Sequence, residues 1–393
     1  MYYATGDDMF WDGCAQAKYV SNDKMNVTFE HVSEQDERLW FIVGTEAGDS
    51  YAIDSIQFYN TRFGITGKGL LLWLGGGAVV LTILLYVTKR VKKNTNVTRD
   101  SNIELCRIIC MLMIVAHHCV LHGGAFDMEG MSTNRILSLF LIPGGKLCFD
   151  CFLAISCWFL VDQKFRTKRF LKVWFMTLFY SVVFTGVACL FGKAVSFKNW
   201  LSVFLPITGN SHGFAATYLA FYLLLPFLTM VSQKLNKKQA RWLWILLLYL
   251  EVGSQLIGCF NQYYQPFASE ILLFVLCYFT ALNLKKWPLK ITENKKWMLF
   301  IFCAIWVALF MVRFQYVQNG DNAVLAYIMN TMCDESSISN LVGGFALFFF
   351  FKDLKVKKMP MINFLATGTF GVLLIHDHNF FRSVLWKDIL KTD

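Results

Sequence analysis

From residue 69 onward the chain alternates long apolar runs with short polar stretches rich in Lys and Arg. The apolar runs fall at 69–88, 102–121, 136–161, 173–191, 214–231, 242–257, 268–284, 297–314, 338–351 and 361–379. A helix rising 1.5 Å per residue needs about 20 such residues to cross a hydrocarbon layer of roughly 30 Å. The pattern therefore predicts an all-α polytopic membrane protein with about ten transmembrane helices. The apolar stretch 199–207 is too short to cross and reads as a re-entrant or interfacial segment. Residues 1–67 follow another pattern. They are polar, lack the early basic region and apolar run of a signal peptide, and hold strand-like runs at 25–32, 39–44 and 50–59. They read as a small β-rich extracytoplasmic segment.

Charge orients the spans. Lys and Arg concentrate at 89–93, 164–172, 234–241, 285–296 and 352–358. With ten spans, all five clusters land on one side of the membrane. Basic loops mark the cytoplasmic side, so both termini are expected outside, in a multi-pass protein of the cell (plasma) membrane. The net charge of +10 over 393 residues thus points to topology and the lipid bilayer, with no nucleic-acid partner expected. Composition agrees: 56% of residues are hydrophobic, 16% are charged, and there are only 6 prolines. Most of the 12 cysteines sit in apolar runs, where a free thiol behaves as a small hydrophobe. Cys148 and Cys151 have C-x2-C spacing, but no second pair follows at metal-site spacing, so they read as packing residues.

The run 102–124, NIELCRIICMLMIVAHHCVLHGG, carries the chemistry. Arg107 and His118 are eleven residues apart, about 1100° at roughly 100° each, so they share one helix face about 16 Å apart along the axis. Glu104 and His122 fall on nearly the same stripe. His117 is rotated away and is the poorer partner for Arg107. Ionisable groups on an apolar helix in lipid normally face a bundle interior or a wet cavity, and mark a functional site. The last span ends in His376, Asp377 and His378, again toward the outer end, where Asp377 is placed to orient or hydrate a rim. His118 and His122 also have i,i+4 spacing, but there is no H-E-x-x-H and no third ligand nearby, so no metal is expected.

These stretches resemble the acyltransferase 3 family of integral membrane acyltransferases. Arg107 and His118 reproduce its R-x10-H spacing within IELCRIICMLMIVAHH. Residues 149–160, with Lys168, Arg169 and Lys172 after them, are similar to its FF-x-I-S-G-Y-F-L segment and the paired basic positions that follow. Residues 216–226, ATYLAFYLLLP, resemble its W-Y-L-x-x-Y stretch, and 364–377 its closing T-F-G-x-Y-L-I-H. Ser156-Cys157-Trp158 stands where the family has Ser-Gly-Tyr, and Leu373 where it has Tyr; neither change removes an ionisable group. The resulting division is 1–67, the β-rich segment; 68–97, an extra transmembrane helix and basic linker; 98–385, the acyltransferase 3 membrane domain; and 386–393, a tail.

The resemblance implies transfer of an acyl group, commonly acetyl from cytoplasmic acetyl-CoA (or another acyl-CoA), to a hydroxyl of a cell-surface or lipid-linked glycan. His118 would be the general base, or else an acyl carrier. Arg107, held by Glu104, would bind donor phosphate or a developing oxyanion. Lys168, Arg169 and Lys172 would dock the anionic coenzyme, while His376, Asp377 and His122 lie on the acceptor side. A transporter or flippase with the same topology is the alternative, although no repeat or matched pair of broken spans is apparent. A sensor would need a cytoplasmic output domain that the short basic loops do not provide.

Overall fold

In the computed structural model the described residues are 2–5, 14–17, 39–42, 100–123, 131–161, 163–209, 212–258, 268–319, 322–334 and 336–390. The chain divides into two compact units, Met1–Ile65 and Thr66–Asp393. In the first, β1 (Tyr2–Thr5), β2 (Cys14–Ala17) and β3 (Leu39–Ile42) form an antiparallel sheet in the order β2-β1-β3, with Tyr2 opposite both Ala17 and Ile42. Strand β3 falls in the expected run 39–44. The runs 25–32 and 50–59, the span at 69–88 and the basic cluster at 89–93 lie outside the described residues.

In the second unit every regular element among the described residues is helical. α1 spans Ser101–His122, α2 Thr133–Leu160, α3 Thr167–Leu190, α4 Phe197–Val203 and α5 Gly213–Lys234. α6 (Lys237–Leu248) runs into a π turn at Tyr249–Gly253 and a further helical turn, Ser254–Gly258. α7 (Glu270–Lys286), α8 (Lys295–Gln318), α9 (Ala323–Met332) and α10 (Ile338–Lys352) follow. The last apolar run is divided into α11 (Pro360–Leu365), a 3-10 turn at Ala366–Gly368 and α12 (Thr369–His376). Among the described residues five helices, α1, α2, α3, α5 and α8, are long and apolar enough to cross a membrane, which makes this a multi-pass membrane protein. The remaining apolar runs among the described residues are helical but shorter. The segment expected to be re-entrant holds α4, only seven residues long. The ten-residue α9 is a helix that the apolar pattern does not announce.

Polar residues at the loop ends start these helices. Ser132, Ser196, Ser269 and Ser337 each accept a hydrogen bond from the backbone N–H three residues on, and Asn236 forms a reciprocal capping box with Gln239, satisfying amides that would otherwise have no partner. α2 is the hub, packed against α1, α7, α8 and α10. More than half of its apolar window, 56%, is buried, against 22% for α3 and 17% for α8. The latter two turn Phe175, Phe179 and Phe300 outward, an apolar surface that belongs against lipid.

The helix ends bearing the described basic clusters gather at one end of the bundle. Lys285 donates to the carbonyls of Trp158 and Val161 at the end of α2, and Lys286 to that of Ser232 near the end of α5. Asn102 at the start of α1 donates to the carbonyls of Phe351 and Lys352 at the end of α10.

Candidate functional site

At the opposite end of α1, His118 meets the last residue of α12. His376 Nε2 lies 2.9 Å from His118 Nδ1, and the ring centroids are 5.0 Å apart. The other nitrogen of His376, Nδ1, lies 2.6 Å from the carbonyl oxygen of Val372 one turn earlier. A carbonyl only accepts, so His376 Nδ1 carries the hydrogen, and the Nε2 of the neutral ring is the acceptor. His118 Nδ1 must then donate. The two bonds together leave the lone pair of His118 on Nε2, the atom a general base needs.

Asp377 Oδ1 stands 4.0 Å from His118 Nδ1, close enough to stabilise an imidazolium. The ring of His122 is 5.7 Å from that of His118. The structure thus groups His118, His122, His376 and Asp377, from helices far apart in sequence. Of these, His118 and Asp377 border a cavity of about 150 Å³ that His117, Lys146 and Glu270 also line, with Phe149 and Phe214 among its apolar walls.

His117 has a different task. Its Nδ1 bonds the carbonyl oxygen of Ile142, 2.8 Å away, and Trp306 Nε1 donates to that of Phe140 at 3.0 Å. Both carbonyls lie in the turn of α2 just before Pro143-Gly144-Gly145. Gly145 lets the helices close up, because a Cβ there would collide with the His117 ring.

Lys146 and Asp150 escape a reading centred on α1, although each is an ionisable residue inside an apolar run and the rule that singles out His118 applies equally to them. One turn apart on α2, Lys146 is half-buried at the cavity and Asp150 is wholly buried. Glu270 reaches the same cavity from the first turn of α7.

Arg107 and Glu104 form the expected pair, Nη1 to Oε1 at 2.9 Å with Glu104 buried, but they lie about 16 Å down the axis and do not line the cavity. Lys168, Arg169 and Lys172 are exposed in the first turns of α3. Arg169 stands over the Tyr222 ring, 5.8 Å from its centroid. A shallow groove of about 360 Å³ near Lys237, Lys238, Arg241 and Trp242 is remote from the histidines, and its basic and aromatic lining suits a headgroup anchor. His378 is structural: its Nε2 bonds the Ser181 carbonyl oxygen at 3.2 Å, while its Nδ1 accepts from the backbone of Phe380 and Phe381. His212, the N-cap residue of α5, packs edge-on to it.

No curated protein and no solved structure matches the chain. A family model does: Acyl_transf_3, described as an acyltransferase domain, matches residues 100–392. That stretch is well over half of the chain and includes every helix from α1 to α12 and both members of the histidine pair, so the protein belongs to the acyltransferase 3 family of membrane acyltransferases.

Proposed function

We propose that the protein carries an acyl group, acetyl from acetyl-CoA, from the cytoplasm to a hydroxyl of a cell-surface or lipid-linked glycan. The observation that carries this reading is the hydrogen-bonded chain from Val372 through His376 to His118, which leaves a basic nitrogen beside a cavity with polar walls.

An acceptor hydroxyl is a poor nucleophile near neutral pH. His118 Nε2 takes its proton as the oxygen attacks the thioester carbonyl, an effect typically worth about 10²- to 10⁴-fold. The new imidazolium keeps its bond to His376 and faces the carboxylate of Asp377. The ammonium of Lys146 on the cavity wall stabilises the negative oxygen of the tetrahedral intermediate. Collapse breaks the carbon–sulfur bond, and His118 returns its proton to the departing thiolate. Arg107, fixed by Glu104, holds a donor phosphate nearer the basic end, and Lys168, Arg169 and Lys172 gather the anionic coenzyme there. The pantetheine arm then runs along the face shared by Arg107 and His118. This requires ten spans with the basic end in the cytoplasm of a cell membrane and both termini outside.

The test is mass analysis of the surface glycan from a deletion strain complemented with wild type, His118→Ala or Arg107→Ala. Acyl groups return with wild type alone while all three proteins insert equally. Full acylation with His118→Ala removes the base assignment, and unchanged glycan in the deletion strain removes the acceptor class.

A further inference from the structure

Two cysteines of α1, Cys106 and Cys110, are one turn apart and face Cys148 and Cys151, one turn apart on α2. All four are buried and free. The sulfur of Cys106 is 3.9 Å from that of Cys110 and 3.5 Å from that of Cys151, and all three sulfurs lie within 4.8 Å of one another. In sequence the C-x2-C of α2 has no second pair at metal-site spacing; in space, the C-x3-C of α1 is that pair.

We propose that three of these thiols are a zinc site, with Cys106, Cys110 and Cys151 as ligands and the fourth tetrahedral position left to a water. Zinc–sulfur bonds of about 2.3 Å put ligand sulfurs about 3.8 Å apart in a tetrahedron, so movements of under about an ångström seat the ion. Thiolate ligands favour zinc and monovalent copper among biological metals. Charge separates these two. Three thiolates leave a net charge of −1 around zinc but −2 around monovalent copper, and the bundle interior penalises the larger charge. Arg107, the residue after Cys106, adds a nearby cation. Access comes from the start of α1, since Cys106 is five residues, about 7.5 Å, from Ser101. If that end is cytoplasmic, as the proposed topology has it, the thiols stay reduced. The ion would tie the helix that carries Arg107 and His118 to the helix that carries Lys146, fixing their axial register.

The experiment uses the full chain purified in detergent, incubated with zinc and desalted. Wild type should retain about one ion per chain and Cys106→Ser/Cys110→Ser/Cys151→Ser close to none. Cobalt-loaded wild type should show sulfur-to-cobalt charge-transfer absorption that the variant lacks. Equal metal in both proteins, or cobalt spectra without thiolate bands, overturns the site; uptake of monovalent copper with zinc ignored overturns the choice of ion. Should the triple variant fail to fold, alkylation of wild type by N-ethylmaleimide decides. Zinc should protect these cysteines and a chelator restore their reaction, whereas equal rates with and without zinc overturn the proposal.

Discussion

At His376 a backbone carbonyl does what a carboxylate does for the histidine of hydrolytic triads: it holds one ring nitrogen protonated and so decides where the lone pair lies. Removing His376 should uncouple the tautomer of His118 from Val372. His376→Ala is expected to lower kcat by up to about 10²-fold with little change in KM, part of what a general base supplies. His376→Gln, whose amide oxygen can accept from His118 Nδ1, should recover much of the loss. Steady-state kinetics of the two variants check this, and equal loss in both contradicts it. A second residue-scale prediction concerns Gly145, whose added Cβ would strike His117. Gly145→Ala should cost about 1–3 kcal/mol by overpacking, seen as a lower melting temperature in detergent. Much of this was legible beforehand. Helical period alone favours His118 over His117, and the pairing of Glu104 with Arg107 follows from i,i+3 spacing. The tautomer was not legible, because it depends on a carbonyl–imidazole contact that spacing does not encode.

The apolar runs from 102 onward coincide with helices, but apolarity marks a segment without giving its inner shape. The run 361–379 is a case in point. Pro360 starts α11 at the position where proline is tolerated, the 3-10 turn at Ala366–Gly368 interrupts it, and Thr369 Oγ1 bonds the carbonyl of Ala366. The short α12 that results delivers His376 to His118. Likewise the run 242–257 contains a π turn that buries Glu251, whose Oε2 accepts from the backbone of Ser269; a uniform helix would aim that residue elsewhere. The starts of α2, α4, α6, α7, α8, α9 and α10, by contrast, coincide with Ser and Asn caps that a sequence displays openly. Two predictions belong to this scale. A cysteine at Lys290, in the loop between α7 and α8, should react with an impermeant maleimide only after the membrane is opened; labelling of intact cells beyond the parent protein sinks the proposed orientation. Alanine at Lys168, Arg169 and Lys172 together should raise KM for acyl-CoA at least severalfold with kcat less affected, since exposed charges contribute mainly to capture of an anionic ligand. An unchanged KM removes the docking role.

For the molecule as a whole, α2 is the common neighbour that brings α1, α7, α8 and α10 together, and the cavity it borders draws on helices separated by hundreds of residues. A chain read from one end to the other shows the apolar runs, their charged borders and the two histidine-bearing segments. It does not show that Lys146 and Glu270 share a cavity with them, because α7 joins that wall only once the bundle has packed. Basic helix ends at one pole and the histidine pair toward the other suit an enzyme whose donor and acceptor approach from opposite sides. The most direct test of that account is to supply acetyl-CoA, labelled in its acetyl group, to inside-out membrane vesicles containing wild-type or His118→Ala protein, and to follow label into glycan. Wild type should transfer it, His118→Ala should fall by about 10²-fold or more, and label added to right-side-out vesicles should stay unincorporated. Equal incorporation by the two proteins would contradict the central role given to His118.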